Sequence, residues 1–102
     1  MDDKAKLSRF GEPATLILTC LLAGEMHGYA IMSECKGRFG VEIGPGTLYA
    51  SIAKLLKLGL IAAIPSEERS RPYKITATGR RELELFFATW GPIVRTGEAR
   101  LA

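Results

Sequence analysis

Apolar residues along this chain fall in blocks, and their spacing changes from one block to the next. "PATLILTCLLAG", Pro13 to Gly24, is apolar almost all round, which predicts a buried central helix. Glu12-Pro13 opens it, because proline fits the first helical position where its missing N–H costs nothing, and Gly24 supplies the stop. "YAIMSECKGRFG", Tyr29 to Gly40, repeats Ile31, Cys35 and Phe39 at intervals of four and predicts a second, amphipathic helix that Gly37 and Gly40 weaken or close. Val41-Glu42-Ile43 alternates apolar and polar, the pattern of a very short strand. In "GPGTLYASIAKLLKLGLI", Gly44 to Ile61, the residues Leu48, Ile52, Leu55 and Leu56 form one stripe, while Thr47, Ser51, Lys54 and Lys57 line the other side. A third helix with a small-polar and basic exposed face follows.

Gly59 closes that helix, and "LIAAI" reads as a strand leading into the polar turn Pro65 to Ser70. "RPYKIT", Arg71 to Thr76, is the returning strand of a β-hairpin. Thr76 then caps a last helix in which Leu83, Phe86, Phe87, Trp90, Ile93 and Val94 recur at three-to-four spacing. Gly91-Pro92 lies inside it; proline removes a backbone hydrogen bond and crowds the preceding turn, so a kink or break is expected there. The order helix, helix, short strand, helix, strand, turn, strand, helix is that of a winged helix-turn-helix: mainly α, with a small β-hairpin wing.

Composition narrows the function. A chain of 102 residues, 47% of them hydrophobic, is one domain or one domain with a helical appendage, and a core of that size gains from a partner subunit. Lys and Arg outnumber Asp and Glu by six to two in residues 45–80, whereas the balance is five to six before and three to three after. A surplus of +4 confined to the middle segment points to a polyanion. No apolar run is long enough to span a bilayer and the start does not read as an export leader, so a soluble, cytoplasmic protein without a membrane partner is expected. Cys20 and Cys35 lack C-x-x-C spacing and read as reduced core residues with no thiolate-stabilising surroundings. His27 is the sole histidine, so no metal site is expected, and its role is structural at the start of the second helix, with Tyr29 beside it packed against the domain. No catalytic constellation and no cofactor motif is present, so an enzyme is not expected.

Three motifs carry a resemblance: "LLAGEMHGYAIM" at Leu21 to Met32, "GPGTLYASIAKLLKLGLI" at Gly44 to Ile61, and "RPYKITATGR" at Arg71 to Arg80. In these, in their order and spacing, the chain resembles the PadR-like transcriptional regulators. The resemblance implies a bacterial or archaeal repressor that binds operator DNA as a homodimer, through a winged helix domain (residues 1–79) and a C-terminal helical dimerisation segment (residues 80–102). It departs from the family pattern at Ala50, where the family usually has proline, in a shorter returning wing strand, and in a short C-terminal part.

On that footing the Gly44-Pro45-Gly46 turn brings the N-terminus of the third helix to a phosphate. Thr47, Ser51 and Lys54 are expected nearest the base edges or backbone, Tyr49 offers its hydroxyl to a phosphate, and Arg69, Arg71 and Lys74 of the wing address backbone or minor groove. Glu67 and Glu68 at the wing tip are expected to point away. Leu83, Phe86, Phe87, Trp90 and Val94 are expected in the dimer interface. A minor reading adds a small apolar or aromatic effector held between Trp90 and Phe86 and their symmetry mates. The reading from another class is a winged helix used for protein–protein interaction without specific DNA binding.

Overall fold

The structure, a computed structural model, describes residues 12–102. The first eleven residues of the expected 1–79 domain, on which the reading of the chain start rests, therefore lie outside the described residues. Four helices and a two-stranded sheet follow in chain order: α1 Glu12–Leu21, α2 Gly28–Phe39, α3 Pro45–Lys57, β1 Ile61–Ala63, β2 Tyr73–Ile75 and α4 Ala77–Leu101. The fold is a winged helix, mainly α with a hairpin wing.

Apolar spacing decides what each helix buries. Ala14, Ile17, Leu18, Cys20 and Leu21 of α1 are all buried, because α2, α3, α4 and β2 pack around it. Ile31 and Cys35 of α2, Leu48, Ile52 and Leu55 of α3, Leu60, Ile61 and Leu83 complete one continuous core. Two expected core residues lie outside it: Phe39 is 40% and Leu56 37% exposed. Each sits in the last turn of its helix, and Leu56 projects past the flank of the stripe formed by Leu48, Ile52 and Leu55.

Local signals place the ends. Gly40 takes the left-handed conformation (φ +68°) and its N–H reaches the Cys35 and Lys36 carbonyls, closing α2. Pro45 stands in the first turn of α3, and Gly59 (φ +74°) ends the turn that follows it. Thr76 caps α4 by accepting a hydrogen bond from the Gly79 N–H (3.1 Å) while its hydroxyl donates to the Gly59 carbonyl (2.6 Å). One threonine thus ties the end of α3 to the start of α4.

In the wing Ile61 pairs with Ile75, Ala62 with Lys74 and Ala63 with Tyr73, antiparallel. Both strands are shorter than their sequence patterns. The strand expected at Val41–Ile43 does not form: the Val41 N–H donates back to the Cys35 carbonyl (3.1 Å) as part of the α2 ending. The third partner on the sheet is instead Met26, which exchanges two backbone hydrogen bonds with Tyr73 (3.0 and 2.8 Å). The turn before α2 is thereby fastened to the wing.

In the C-terminal segment, of the kink or break expected at Gly91-Pro92 the break does not form, and Leu83 is corrected as an interface residue. The helix is not broken at Gly91-Pro92 but runs through it to Leu101. Ala88, whose carbonyl loses its donor to the proline, is exposed, so water can satisfy it. Leu83 is not an interface residue: it is 1% exposed in the core of its own chain, and Gly79 and Glu82 beside it are buried too. The division between residues 79 and 80 thus falls inside one helix whose first two turns belong to the winged domain.

Candidate nucleic-acid interface

The face of α3 turned away from the core is set by the helical period. Opposite Leu48, Ile52 and Leu55 stand Ala50, Ala53, Lys54 and Lys57, all exposed. This is a shallow apolar strip edged by two ammonium groups, and a surface without long side chains lets a helix approach a partner closely. Lys57 stands on this side as the sequence pattern predicts, whereas Ala53 carries no polar signal that would mark the bare strip. Ser51 lies toward the core side and is half-buried, and Thr47 beside it is exposed on the same flank. Thr47 there edges a groove of about 190 Å³ that includes Pro13, Leu16, Val41 and Ile43.

Gly44 caps α3 without a side-chain acceptor. Helix geometry leaves the Gly46 and Thr47 N–H groups without intrahelical carbonyls, and Pro45 contributes none. The end of α3 therefore presents donors and the positive pole of its dipole.

The other flank of α3 faces the wing. Tyr49, 47% exposed, lies over the first turn of α2, and a Cβ built on Gly28 would stand 2.5 Å from the Tyr49 hydroxyl and 2.9 Å from its ring. Glycine at 28 is what admits the phenol. Together Gly28, Tyr49, Arg69, Ser70, Arg71 and Tyr73 line a cleft of about 340 Å³. His27, at the N-cap of α2, makes no capping bond with its side chain; its Nδ1 lies 3.3 Å from the Ser70 hydroxyl, and its ring stacks on Tyr29 at 5.8 Å and 15°. His27 thus joins the start of α2 to the wing rather than capping the helix end. Tyr29 is not packed against the domain: at 64% exposure its ring lies on that of His27, which is itself at the surface end of α2.

Arg69 and Arg71 meet Tyr49 in this cleft, but Lys74 does not. Alternation along β2 places Lys74 on the face opposite Tyr73, where it is exposed. Glu67 and Glu68 are exposed at the tip, with the Glu68 N–H donating to the Ser66 hydroxyl. The ion pairs Lys36–Glu42 (3.2 Å) and Arg38–Glu34 (2.6 Å) sit at the end of α2. Among the described residues no carboxylate pairs with Lys57, Arg69 or Arg71.

A second exposed surface runs along α4. Phe86 is half-buried against the core and contacts the rings of Phe87 (6.1 Å) and Trp90 (6.2 Å). Phe87, Trp90, Ile93 and Val94 are all between 42% and 54% exposed, an apolar stripe left uncovered by the other described residues. Among the described residues no group of three His, Cys, Asp or Glu side chains could hold a metal ion, and no helix is long and apolar enough to cross a membrane.

The sequence model of the transcriptional regulator PadR-like family matches residues 17–85. Among solved structures, a transcriptional regulator from Clostridium thermocellum is 28% identical, with a TM-score of 0.76 over 87% of this chain and 89% of that one. The structure of Bacillus subtilis PadR in complex with operator DNA is also 28% identical, with a TM-score of 0.64 over 72% of this chain and 45% of that one. A PadR family transcription regulator from Clostridium difficile has the same fold at a TM-score of 0.80 and 24% identity, covering 90% of this chain and all (100%) of that one. Among curated proteins, an uncharacterized 37.1 kDa protein in a transposon of Streptomyces fradiae is 36% identical over 76 residues, 74% of this chain. The match spans 22% of that relative's length.

Proposed function

Because this chain belongs to the PadR-like family of transcriptional regulators, we propose that it is a homodimeric repressor that reads operator DNA with α3 and grips the flanking backbone with its wing. The observation that carries the reading is the convergence, on one side of the domain, of the bare Ala50–Ala53 strip with Lys54 and Lys57 and the cleft holding Tyr49, Arg69 and Arg71. A helix with alanines at its centre can sit deep in a major groove, and its lysines then stand at the groove walls. The cleft suits a phosphate of the same strand: two guanidinium groups, a phenol and the N-terminus of α2 bound one concavity. Thr47 and the free N–H groups at the start of α3 serve a phosphate on the opposite flank. Lys74 takes a peripheral place, reaching the backbone only where DNA curves around the wing. The operator complex of Bacillus subtilis PadR supports the assignment at the level of the shared fold.

Dimerisation enters through α4. A single domain with a handful of phosphate contacts binds weakly at physiological salt, and linking two copies raises the effective concentration of the second. Phe86, Phe87, Trp90 and Val94 supply the surface. Across such an interface Trp90 and Phe86 would stand close to their counterparts, the place where a planar apolar effector would act. The outward side of α3 carries no large apolar residue besides Tyr49 and Leu56 on one flank, and its centre is alanine and lysine, which speaks against a protein-docking role for it.

Arg71→Ala and Lys54→Ala are each expected to leave the circular dichroism spectrum and melting temperature nearly unchanged while weakening operator binding about tenfold, with the salt dependence shallower by roughly one ion. Titration of labelled DNA at several salt concentrations reads both quantities. Unchanged affinity in both variants would remove this face from the mechanism. Gly28→Ala tests the cleft separately: the new methyl displaces the Tyr49 ring, whose side chain can swing outward, so a stability loss of about 1 kcal/mol is expected with a larger proportional loss of DNA affinity. A variant that melts earlier but binds DNA as the parent does would show that Tyr49 has no part in binding.

A further inference from the structure

The chain has two cysteines, and the fold puts their sulfur atoms against each other. Cys20 comes from the last turn of α1 and Cys35 from the second half of α2; both are free, buried at 3% and 0% exposure, and their Sγ atoms lie 3.8 Å apart. The rest of the core is built of alanine, isoleucine and leucine, and no third His, Cys, Asp or Glu stands near enough among the described residues to complete a metal site. Around this pair the core is closed, so the chemistry open to two touching thiols that requires no additional room is the loss of their hydrogens.

We propose that Cys20 and Cys35 form a reversible intramolecular dithiol–disulfide pair, oxidised by hydroperoxides, that weakens DNA binding by drawing α2 toward α1. The consequence for DNA rests on the reading of the α3–wing face given above; the disulfide itself does not. In the first step one sulfur, as thiolate, attacks the terminal oxygen of the hydroperoxide, the O–O bond breaks, and the thiol proton leaves with the departing alkoxide as an alcohol, or as water when the oxidant is hydrogen peroxide. The resulting sulfenic acid is attacked by the second sulfur; the S–S bond forms and the hydroxyl leaves with the second thiol's proton as water. Two thiols and one hydroperoxide give one disulfide, one alcohol and one water. A cellular thiol such as glutathione restores the pair.

Burial governs the response. Removal from water pushes the Cys20 thiol up to about 12, with further contributions from Cys35 and Glu34, and burial pushes Cys35 up as well. In the closed core both sulfurs stay protonated, so traces of oxidant pass them by; sustained exposure catches the moments when α1 and α2 part. Bonding then brings the sulfurs from 3.8 Å to about 2.05 Å. Rotation about the Cα–Cβ bonds supplies part of that approach and the helices the remainder. The other end of α2 carries His27 and Gly28, on which Ser70 and Tyr49 rest, so a shift of α2 is felt in the cleft with Arg69 and Arg71.

The test uses the full chain, reduced or treated with hydrogen peroxide, with thiols counted after denaturation, peptide mapping without reductant, and DNA titration of the same samples. Expected are loss of both thiols with a Cys20–Cys35 crosslink within one chain, reversal by dithiothreitol, and DNA affinity lowered about tenfold or more on oxidation. Cys20→Ala and Cys35→Ala, treated alike, should keep their affinity; either variant suffices if the other does not fold. Two results would overturn the proposal: both thiols surviving peroxide that crosslinks them in the denatured chain, or a crosslinked protein with unchanged affinity. A reduced protein that bound no DNA would instead sink the repressor reading, while the thiol count would still decide the crosslink.

Discussion

Gly79→Ala is expected to cost about 2–4 kcal/mol of stability and to lower the melting temperature by roughly 10–25 °C. The glycine lies in the first turn of α4, and a Cβ there would collide with the Leu60 carbonyl oxygen, with the carbonyl carbon at 3.0 Å and with Ile75 Cγ1 at 2.8 Å. The carbonyl cannot give way cheaply. It accepts the Thr76 N–H at 3.1 Å, and Leu60 is itself buried at 1% exposure between α3 and the wing. Alanine's better helix propensity returns only about 1 kcal/mol. Gly37→Ala is the internal control: the position is inside α2, no atom lies within 4 Å of the added methyl, and the same propensity gain should appear as a slight stabilisation. Thermal melts of both variants decide the matter. A Gly79→Ala protein as stable as its parent would mean that α4 does not pass this close to the wing.

The second large effect is expected in assembly. Trp90→Ala removes the largest side chain of the exposed α4 stripe and should raise the dimer dissociation constant about 100-fold, since a central aromatic in an interface is worth roughly 2–4 kcal/mol. Trp90 is 42% exposed and contacts Phe86 alone among the described aromatic rings, so its loss leaves the chain's own core intact and melting of the dilute monomer should barely change. Operator affinity should fall with the dimer and recover at higher protein concentration. Sedimentation at low concentration tests it directly; an unaltered dimer would place the contact elsewhere. Leu83→Ala separates packing from assembly. Being inside the core, it should cost about 2–5 kcal/mol of folding stability, whatever the protein concentration.

Much of this architecture is legible in the sequence because local rules and tertiary packing agree. The all-round apolar run of α1, the stripe Leu48, Ile52 and Leu55, the glycine stops at 40 and 59 and the Thr76 cap each have one physical solution, and the chain adopts it. Where the reading fails, tertiary structure outweighs local pattern. Val41–Ile43 alternates like a strand, but the sheet edge it would need is taken by Met26. Pro92 should interrupt a helix, yet the site is exposed and the helix runs on. Leu83 shares its spacing with Phe86, Phe87 and Trp90, and spacing cannot tell which of them faces the core and which faces outward. The candidate site was legible in type rather than in arrangement. Charge and motif single out Arg69, Arg71 and Tyr49, but the cleft that unites them depends on the missing side chain of Gly28, and a missing side chain leaves no polar signal. Ser51 and Lys74 have side chains suited to DNA but lie at the periphery, because helical and strand periods turn them there.

The central claim, a sequence-specific regulator acting through the α3–wing face, is tested most directly by titrating the purified protein into labelled DNA from upstream of its own gene, at two salt concentrations and with unrelated DNA in excess. Tight binding is expected that survives the competitor, weakens steeply with salt, and fails in an Arg69→Ala, Arg71→Ala double variant that still folds. Binding removed equally by any DNA, or retained in full by the double variant, would contradict it.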